Sequence, residues 1–137
     1  MGKNSLSKPI KKKEGSGLVL LVEDELIMRK IAVKVLKNAG YDVITAEDGC
    51  AGVKLFKKHH KEIVLVLLDM VLPKKPGKDV YIEIININPN VNVLLNTGFS
   101  KDIQVKELFQ LGVKHFIEKP YSLEELSKAI HTAVNDL

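Results

Sequence analysis

The sequence predicts an α/β fold in which a five-stranded parallel sheet is doubly wound, with helices on both of its faces. Three observations lead there. Short apolar runs alternate with segments of helical periodicity from residue 18 to the end of the 137-residue chain. The runs are nearly continuous instead of alternating with polar residues, as strands covered on both faces require. The connections between segments are short, which calls for strands running in one direction, each returned by a helix.

Taken in order, residues 1–17 are polar and rich in Lys, Ser and Gly, and read as a disordered basic tail or linker ahead of a domain spanning 18–137. "LVLLV" (18–22) is the first strand. "ELIMRKIAVKVLKNAG" then places Ile27, Ile31 and Val35 on one helical stripe with Met28, Ala32 and Leu36 beside it, and Gly40 makes the stop. "DVITA" (42–46) is the second strand, and "DGCAGVKLFKKHH" is a helix capped by Asp48, with His59 and His60 at its negative end. Those two histidines point about 100° apart and do not share a metal. "IVLVLL" (63–68) is the third strand, followed by a Pro/Gly loop and a helix over 78–87 that "NPN" ends. "VNVLLNT" is the fourth strand, "KDIQVKELFQLG" a shorter helix with Ser100 as its N-cap, and "VKHFIEK" the fifth strand. The last helix opens on the capping box Ser122-x-x-Glu125 and turns Leu126, Ala129, Ile130, Ala133 and Val134 inward.

Composition narrows the function classes. The formal charge of +4 arises within residues 1–17, which hold five Lys and one Glu; the remaining 16 basic and 16 acidic residues cancel. The basic pI therefore gives no reason to expect a nucleic-acid-binding face. The single cysteine, Cys50, excludes an internal disulfide and fits a reducing, cytoplasmic setting. No apolar run approaches the roughly 18 residues that span a bilayer.

Polar residues interrupt the pattern at equivalent places. Strand one runs into Glu23, Asp24 and Glu25, strand three into Asp69, strand four into Thr97 and strand five into Lys119. Ligands of open α/β sheets bind outside the carboxyl ends of the strands, where strands one and three are neighbours. Glu23 and Asp24 also suit the first turn of a helix, Thr97 a plain strand end and Lys119 a solvated surface. Asp69 is a poor helix cap, because Pro73, Pro76 and Gly77 delay the next helix. Two carboxylates about 5 Å apart repel by roughly 3 kcal/mol at an effective dielectric near 20, so such a cluster calls for a cation. Oxygen donors without Cys or converging His select Mg²⁺, with Mn²⁺ able to substitute, and magnesium so held keeps positions open for phosphate oxygens. Lys119 and the Thr97 hydroxyl stand ready for that charge.

The segments "LLVEDE", "LVLLDMVLP", "LLNTG" and "FIEKP" resemble the signature segments of response-regulator receiver domains (CheY-like) of two-component signalling, in order and over about residues 18–137. The resemblance implies a flavodoxin-like (βα)5 fold with strand order 2-1-3-4-5. It implies that Asp69 is the phospho-acceptor, taking a phosphoryl group from the phosphohistidine of a histidine kinase or histidine phosphotransfer domain. Asp24 and Asp69 would ligate Mg²⁺ directly, Glu23 through water, and the Val71 backbone carbonyl would add an oxygen. Lys119 would pair with a phosphoryl oxygen, its bond to Pro120 being cis. Thr97 would follow the phosphoryl group inward, with Phe116 as the switch aromatic, altering the surface of helix four, strand five and helix five. Such a protein catalyses only its own phosphorylation and dephosphorylation, without direct nucleic-acid binding or membrane insertion, and a phosphorylation-dependent homodimer is open to it. "NTGFS" and "FIEKPYSLEEL" look like receivers attached to hybrid histidine kinases.

Two positions depart from that pattern. The switch aromatic is Phe116, not the commoner Tyr. Val71 and Phe99 are apolar where relatives often orient a hydrolytic water, which predicts a slowly hydrolysing phosphoryl-Asp69. A haloacid-dehalogenase-type phosphatase would need a second acid two residues after Asp69, and "DMVLP" has none. A nucleotide carrier would need a G-x-G-x-x-G turn or a P-loop, and neither occurs. A pure interaction module with a vestigial pocket is disfavoured by Asp24, Asp69, Thr97 and Lys119 standing together.

Overall fold

The computed structural model describes residues 16–98 and 103–136, which form five strands and five helices in strict alternation. In chain order these are β1 (Leu18–Val22), α1 (Leu26–Asn38), β2 (Asp42–Ala46), α2 (Gly49–His59), β3 (Ile63–Asp69), α3 (Gly77–Ile87), β4 (Asn92–Thr97), α4 (Ile103–Gln110), β5 (His115–Glu118) and α5 (Leu123–Val134). All strand pairs are parallel and the order is β2-β1-β3-β4-β5.

Burial explains the composition of each strand. The interior strands β1, β3 and β4 are buried almost throughout, and cover on both faces favours apolar side chains everywhere except at the carboxyl ends, where Asp69, Asn96 and Thr97 stand. The edge strands β2 and β5 are partly exposed and accordingly carry Asp42, Thr45, His115 and Glu118. Alternation along the strands divides the core into two layers. Leu20, Val22, Val66, Leu68, Val93 and Leu95 pack with Phe56 of α2, Ile84 of α3 and Leu108 of α4. Val19, Leu21, Leu65, Leu67 and Leu94 pack with Leu36 of α1 and Ile130 of α5.

Local signals set the helix ends. Asp48 accepts from the Ala51 N–H at 2.8 Å, and Ser122 and Glu125 form the reciprocal capping box that starts α5. At the end of α1, Gly40 adopts φ +101°, while its N–H reaches the Lys37 carbonyl and the Tyr41 N–H the Leu36 carbonyl. This double bond pattern needs a left-handed residue, which glycine adopts without strain. Of the two stripes expected on α1, the one through Ala32 and Leu36 faces the sheet, whereas Ile27 is 67% exposed. Apolar spacing alone did not distinguish them. The N-cap assigned to Ser100, the position Phe99 and residues 1–15 lie outside the described residues.

The loop after β3 folds back tightly. The Gly77 N–H donates to the Met70 carbonyl at 3.0 Å, and a Cβ at Gly77 would fall 2.5 Å from the Asp69 carbonyl oxygen and 2.7 Å from the Met70 Cα. Both neighbours are backbone and cannot step aside. Gly77→Ala is therefore expected to cost about 1–3 kcal/mol through forced displacement of the chain around Asp69. An unchanged urea midpoint would show that the loop accommodates the methyl group.

Candidate functional site

The carboxyl ends of the central strands meet at one place. Val22 pairs with Leu68 and Asp69 pairs with Asn96, so the residue after β1, Glu23, stands next to Asp69. Thr97 pairs with Glu118, which delivers Lys119 one residue later. Side-chain alternation puts Asp69 in phase with Leu65 and Leu67, on the sheet face that α1 and α5 cover.

Carboxylate oxygens of Glu23, Asp24 and Asp69 all lie within 4.8 Å of one another, with Glu23 and Asp69 buried and Asp24 exposed. The Lys119 Nζ is 3.3 Å from Asp69 Oδ2 and 3.9 Å from Glu23 Oε1. Main-chain donors complete the set. The Val71 N–H donates to Asp69 Oδ1 at 3.2 Å, and the Glu25 N–H to Glu23 Oε2 at 3.1 Å. Arg29, from the first turns of α1, donates to the carbonyls of Glu23 at 2.9 Å and Asp24 at 3.2 Å, fixing the loop that carries both acids. The guanidinium thus turns toward carbonyls and Glu47, which sequence spacing did not reveal.

The remaining residues singled out by sequence take distinct places. Thr97 is buried at the end of β4, in phase with Leu95 on the opposite face from Asp69, and its carbonyl accepts from the Lys119 N–H at 2.8 Å. The Lys119–Pro120 bond is cis. Val71, whose N–H meets Asp69, is 78% exposed. Phe116 is exposed on β5 and meets Phe109 of α4 edge-on, with ring centres 5.2 Å apart. His59 stands apart from the cluster, 3.6 Å from Glu62, and no helix among the described residues is long and apolar enough to cross a membrane.

One lysine does not balance these acids. Burial, aided by the charge of Asp69, pushes the Glu23 carboxyl from 4.5 to about 7, against the pull of the Glu25 N–H and Lys119. For Lys119, burial pulls downward, but Asp69 and Glu23 prevail and hold the ammonium above its ordinary value. The donor set contains oxygen only, without sulfur or imidazole, and suits a hard divalent cation such as Mg²⁺.

A consequence for stability follows from Glu23. Between pH 4.5 and about 7 the folded chain holds a proton there that the unfolded chain has released. Stability from this group therefore falls as pH rises through that window, the reverse of an ordinary salt-bridged acid. In the presence of a chelator, Glu23→Gln is expected to gain on the parent protein between pH 5 and pH 8, by about 3 kcal/mol at most. Chemical denaturation at both pH values measures it, and a constant difference would contradict the assigned proton.

Comparison with known proteins agrees with this geometry. Residues 19–131 match the family described as "Response regulator receiver domain". The chain is 28% identical over 118 residues to the chemotaxis protein CheY of Bacillus subtilis, covering 85% of this chain and 97% of that one. It is 29% identical over 116 residues to the sensor kinase CckA of Brucella abortus, covering 85% of this chain and 12% of the kinase. Among solved structures, the CheX–CheY–BeF3–Mg complex of Borrelia burgdorferi is similar at TM-score 0.81 and 27% identity, covering 88% of this chain and 90% of that one. Acids clustered at the ends of β1 and β3, a lysine after β5 and the 2-1-3-4-5 sheet accompany that match: the chain belongs to the response-regulator receiver domains, the signalling modules of two-component systems.

Proposed function

We propose that this chain accepts a phosphoryl group on Asp69 from the phosphohistidine of a histidine kinase or histidine phosphotransfer domain, with residues 18–137 as the working unit. The observation that carries the reading is the position of Asp69: buried at the end of β3, with carboxylate oxygens of Glu23 and Asp24 within 4.8 Å and the Lys119 ammonium 3.3 Å away. An Asp69 oxygen attacks phosphorus, a P–O bond forms, the P–N bond breaks, and the partner's imidazole leaves with the electron pair and takes a proton. Asp24 and Asp69 would hold Mg²⁺ directly, Glu23 would do so through water, and the Val71 carbonyl would add an oxygen. Magnesium would supply neutralisation of the acids and of the incoming phosphoryl group, and the magnesium in the similar Borrelia structure supports this choice. Lys119 meets a phosphoryl oxygen, and its fixed approach supplies charge without reorganisation. The chemistry is positioning and neutralisation, with little for an acid–base residue to do.

The signal leaves through Thr97 and Phe116. Thr97 moves toward the phosphoryl group, and the exposed face of α4, β5 and α5, which carries Phe109, Leu111, Phe116 and Leu123, changes with it. Phe116 lacks a hydroxyl, so its contribution is packing, here the edge contact with Phe109. The match to one segment of a sensor kinase supports work within a longer signalling protein.

Incubation with a small phosphodonor and Mg²⁺ is expected to add one phosphoryl group, seen by intact mass. The gain should vanish in Asp69→Ala and without divalent cation. Persistence of the gain in Asp69→Ala, or multiple turnover of the donor, would overturn the assignment.

Hydrolysis is expected to be slow, because the exposed Val71, two residues after Asp69, has a side chain that offers a water neither donor nor acceptor. Val71→Asn should hasten loss of the phosphoryl group by roughly 3-fold or more, a change of about 0.7 kcal/mol in barrier. An unchanged decay rate removes Val71 from the explanation.

A further inference from the structure

One polar pair at the acidic cluster has no part in the chemistry above. Asn96 lies opposite Asp69 in the β3–β4 register and is 4% exposed. Paired residues of neighbouring strands stand about 4.8 Å apart and share a face, so the amide is beside the Asp69 carboxylate. Its Nδ2 donates to the Tyr121 hydroxyl at 3.0 Å. Its Oδ1 is buried and has no hydrogen-bond partner among the described residues. An apolar side chain would fill this position without that desolvation cost, as Leu94 and Leu95 do just before it. Packing alone does not account for an amide here.

Tyr121 lies two residues beyond Lys119, with its ring against the core layer of α1 and α5. The segment from Lys119 to Tyr121 is thus tied to the end of β4 at both of its ends. At one, the Lys119 N–H donates to the Thr97 carbonyl at 2.8 Å; at the other, the Tyr121 hydroxyl takes the Asn96 amide. A lysine head sits on a flexible four-carbon stem, so its reach depends on how firmly its own backbone is held. The tie is also neutral. A charged residue at either position would alter the balance of three carboxylates and one ammonium, whereas an amide and a phenol leave it untouched.

We propose that Asn96 and Tyr121 are positioning residues, whose hydrogen bond holds the segment bearing Lys119 and so keeps its ammonium against Asp69, where the phosphoryl charge arrives. The inference rests on the reading of Asp69 as phospho-acceptor. Neither residue touches the reacting atoms; each acts through Lys119. Because the acids that would hold magnesium lie on β3 and the loop after β1, loss of the tie affects the approach of Lys119 and not the donor set.

The test uses the whole chain with Tyr121→Phe, Asn96→Leu and the double variant, with acetyl phosphate as phosphodonor. Each single variant is expected to slow phosphorylation at saturating Mg²⁺ by about 3- to 10-fold while the Kd for Mg²⁺ moves less than about 2-fold. The double variant should be no slower than the slower single, since one bond is removed in all three. The ζ-ammonium NMR signal of Lys119 should shift or broaden in each variant without phosphodonor. The proposal is overturned if Tyr121→Phe keeps the parent rate and the parent Lys119 signal, or if rate and Mg²⁺ affinity fall in parallel, the mark of a loosened fold. If the parent protein takes no phosphoryl group, the acceptor reading fails by itself, and the Lys119 signal still decides whether the tie holds that lysine.

Discussion

Everything at the carboxyl ends of the central strands depends on three carboxylates gathered within 4.8 Å and opposed, among the described residues, by the Lys119 ammonium. Such a group is repulsive in the folded chain and would disperse if its residues were free to move. It stays because each acid is attached to something that gains from folding. Asp69 ends a strand whose preceding residues are buried on both faces, and Glu23 follows another. The apolar burial of those strands, at about 25 cal/mol per Å², outweighs the local electrostatic cost many times over. The scaffold holds the charges together, and the charges then select what visits them.

The parallel sheet is what makes the convergence possible. In an antiparallel sheet the ends of adjacent strands carry opposite chain directions, and residues from three successive strands could not arrive at one edge with their loops. Here β1, β3, β4 and β5 all deliver their last residues to the same side, and helices return the chain across either face. β4 has a central part in this. Its terminal carbonyls accept from Met70, next to Asp69, and from Lys119, so the acid and the lysine are referred to one strand. The Asn96 amide adds a third attachment from the same two residues of β4.

Much of this was legible in the sequence, for identifiable reasons. Runs such as "IVLVLL", too short for a helix and rich in β-branched residues, fit a strand covered on both faces, and the capping box at Ser122 and Glu125 marks a helix start by chemistry instead of statistics. The acidic cluster was legible because polar residues broke four apolar runs at matching points. What escaped was lateral information. Nothing in the spacing of α1 says that Ala32 and Leu36 face inward while Ile27 does not, since either stripe is apolar. "LLNT" shows Thr97 and hides Asn96, because an asparagine near a strand end reads as ordinary loop polarity. That its partner is Tyr121, 25 residues on, is decided by where β5 and its following loop lie in space.

The raised Glu23 carboxyl gives the cluster its character. Without a divalent ion, the cheapest way to relieve repulsion is to keep a proton, and near neutral pH Glu23 is poised between holding it and releasing it. A cation bound beside it would favour loss of that proton, so cation uptake and pH are linked. Lys119 cannot take the same part, because its ammonium already leans on Asp69 and Glu23 and is held charged by them. With one ammonium against three acids among the described residues, the cluster is short of positive charge even when Glu23 holds its proton. On the reading proposed for Asp69, a divalent cation would supply the missing positive charge, and only the site so neutralised would receive a dianionic phosphoryl group.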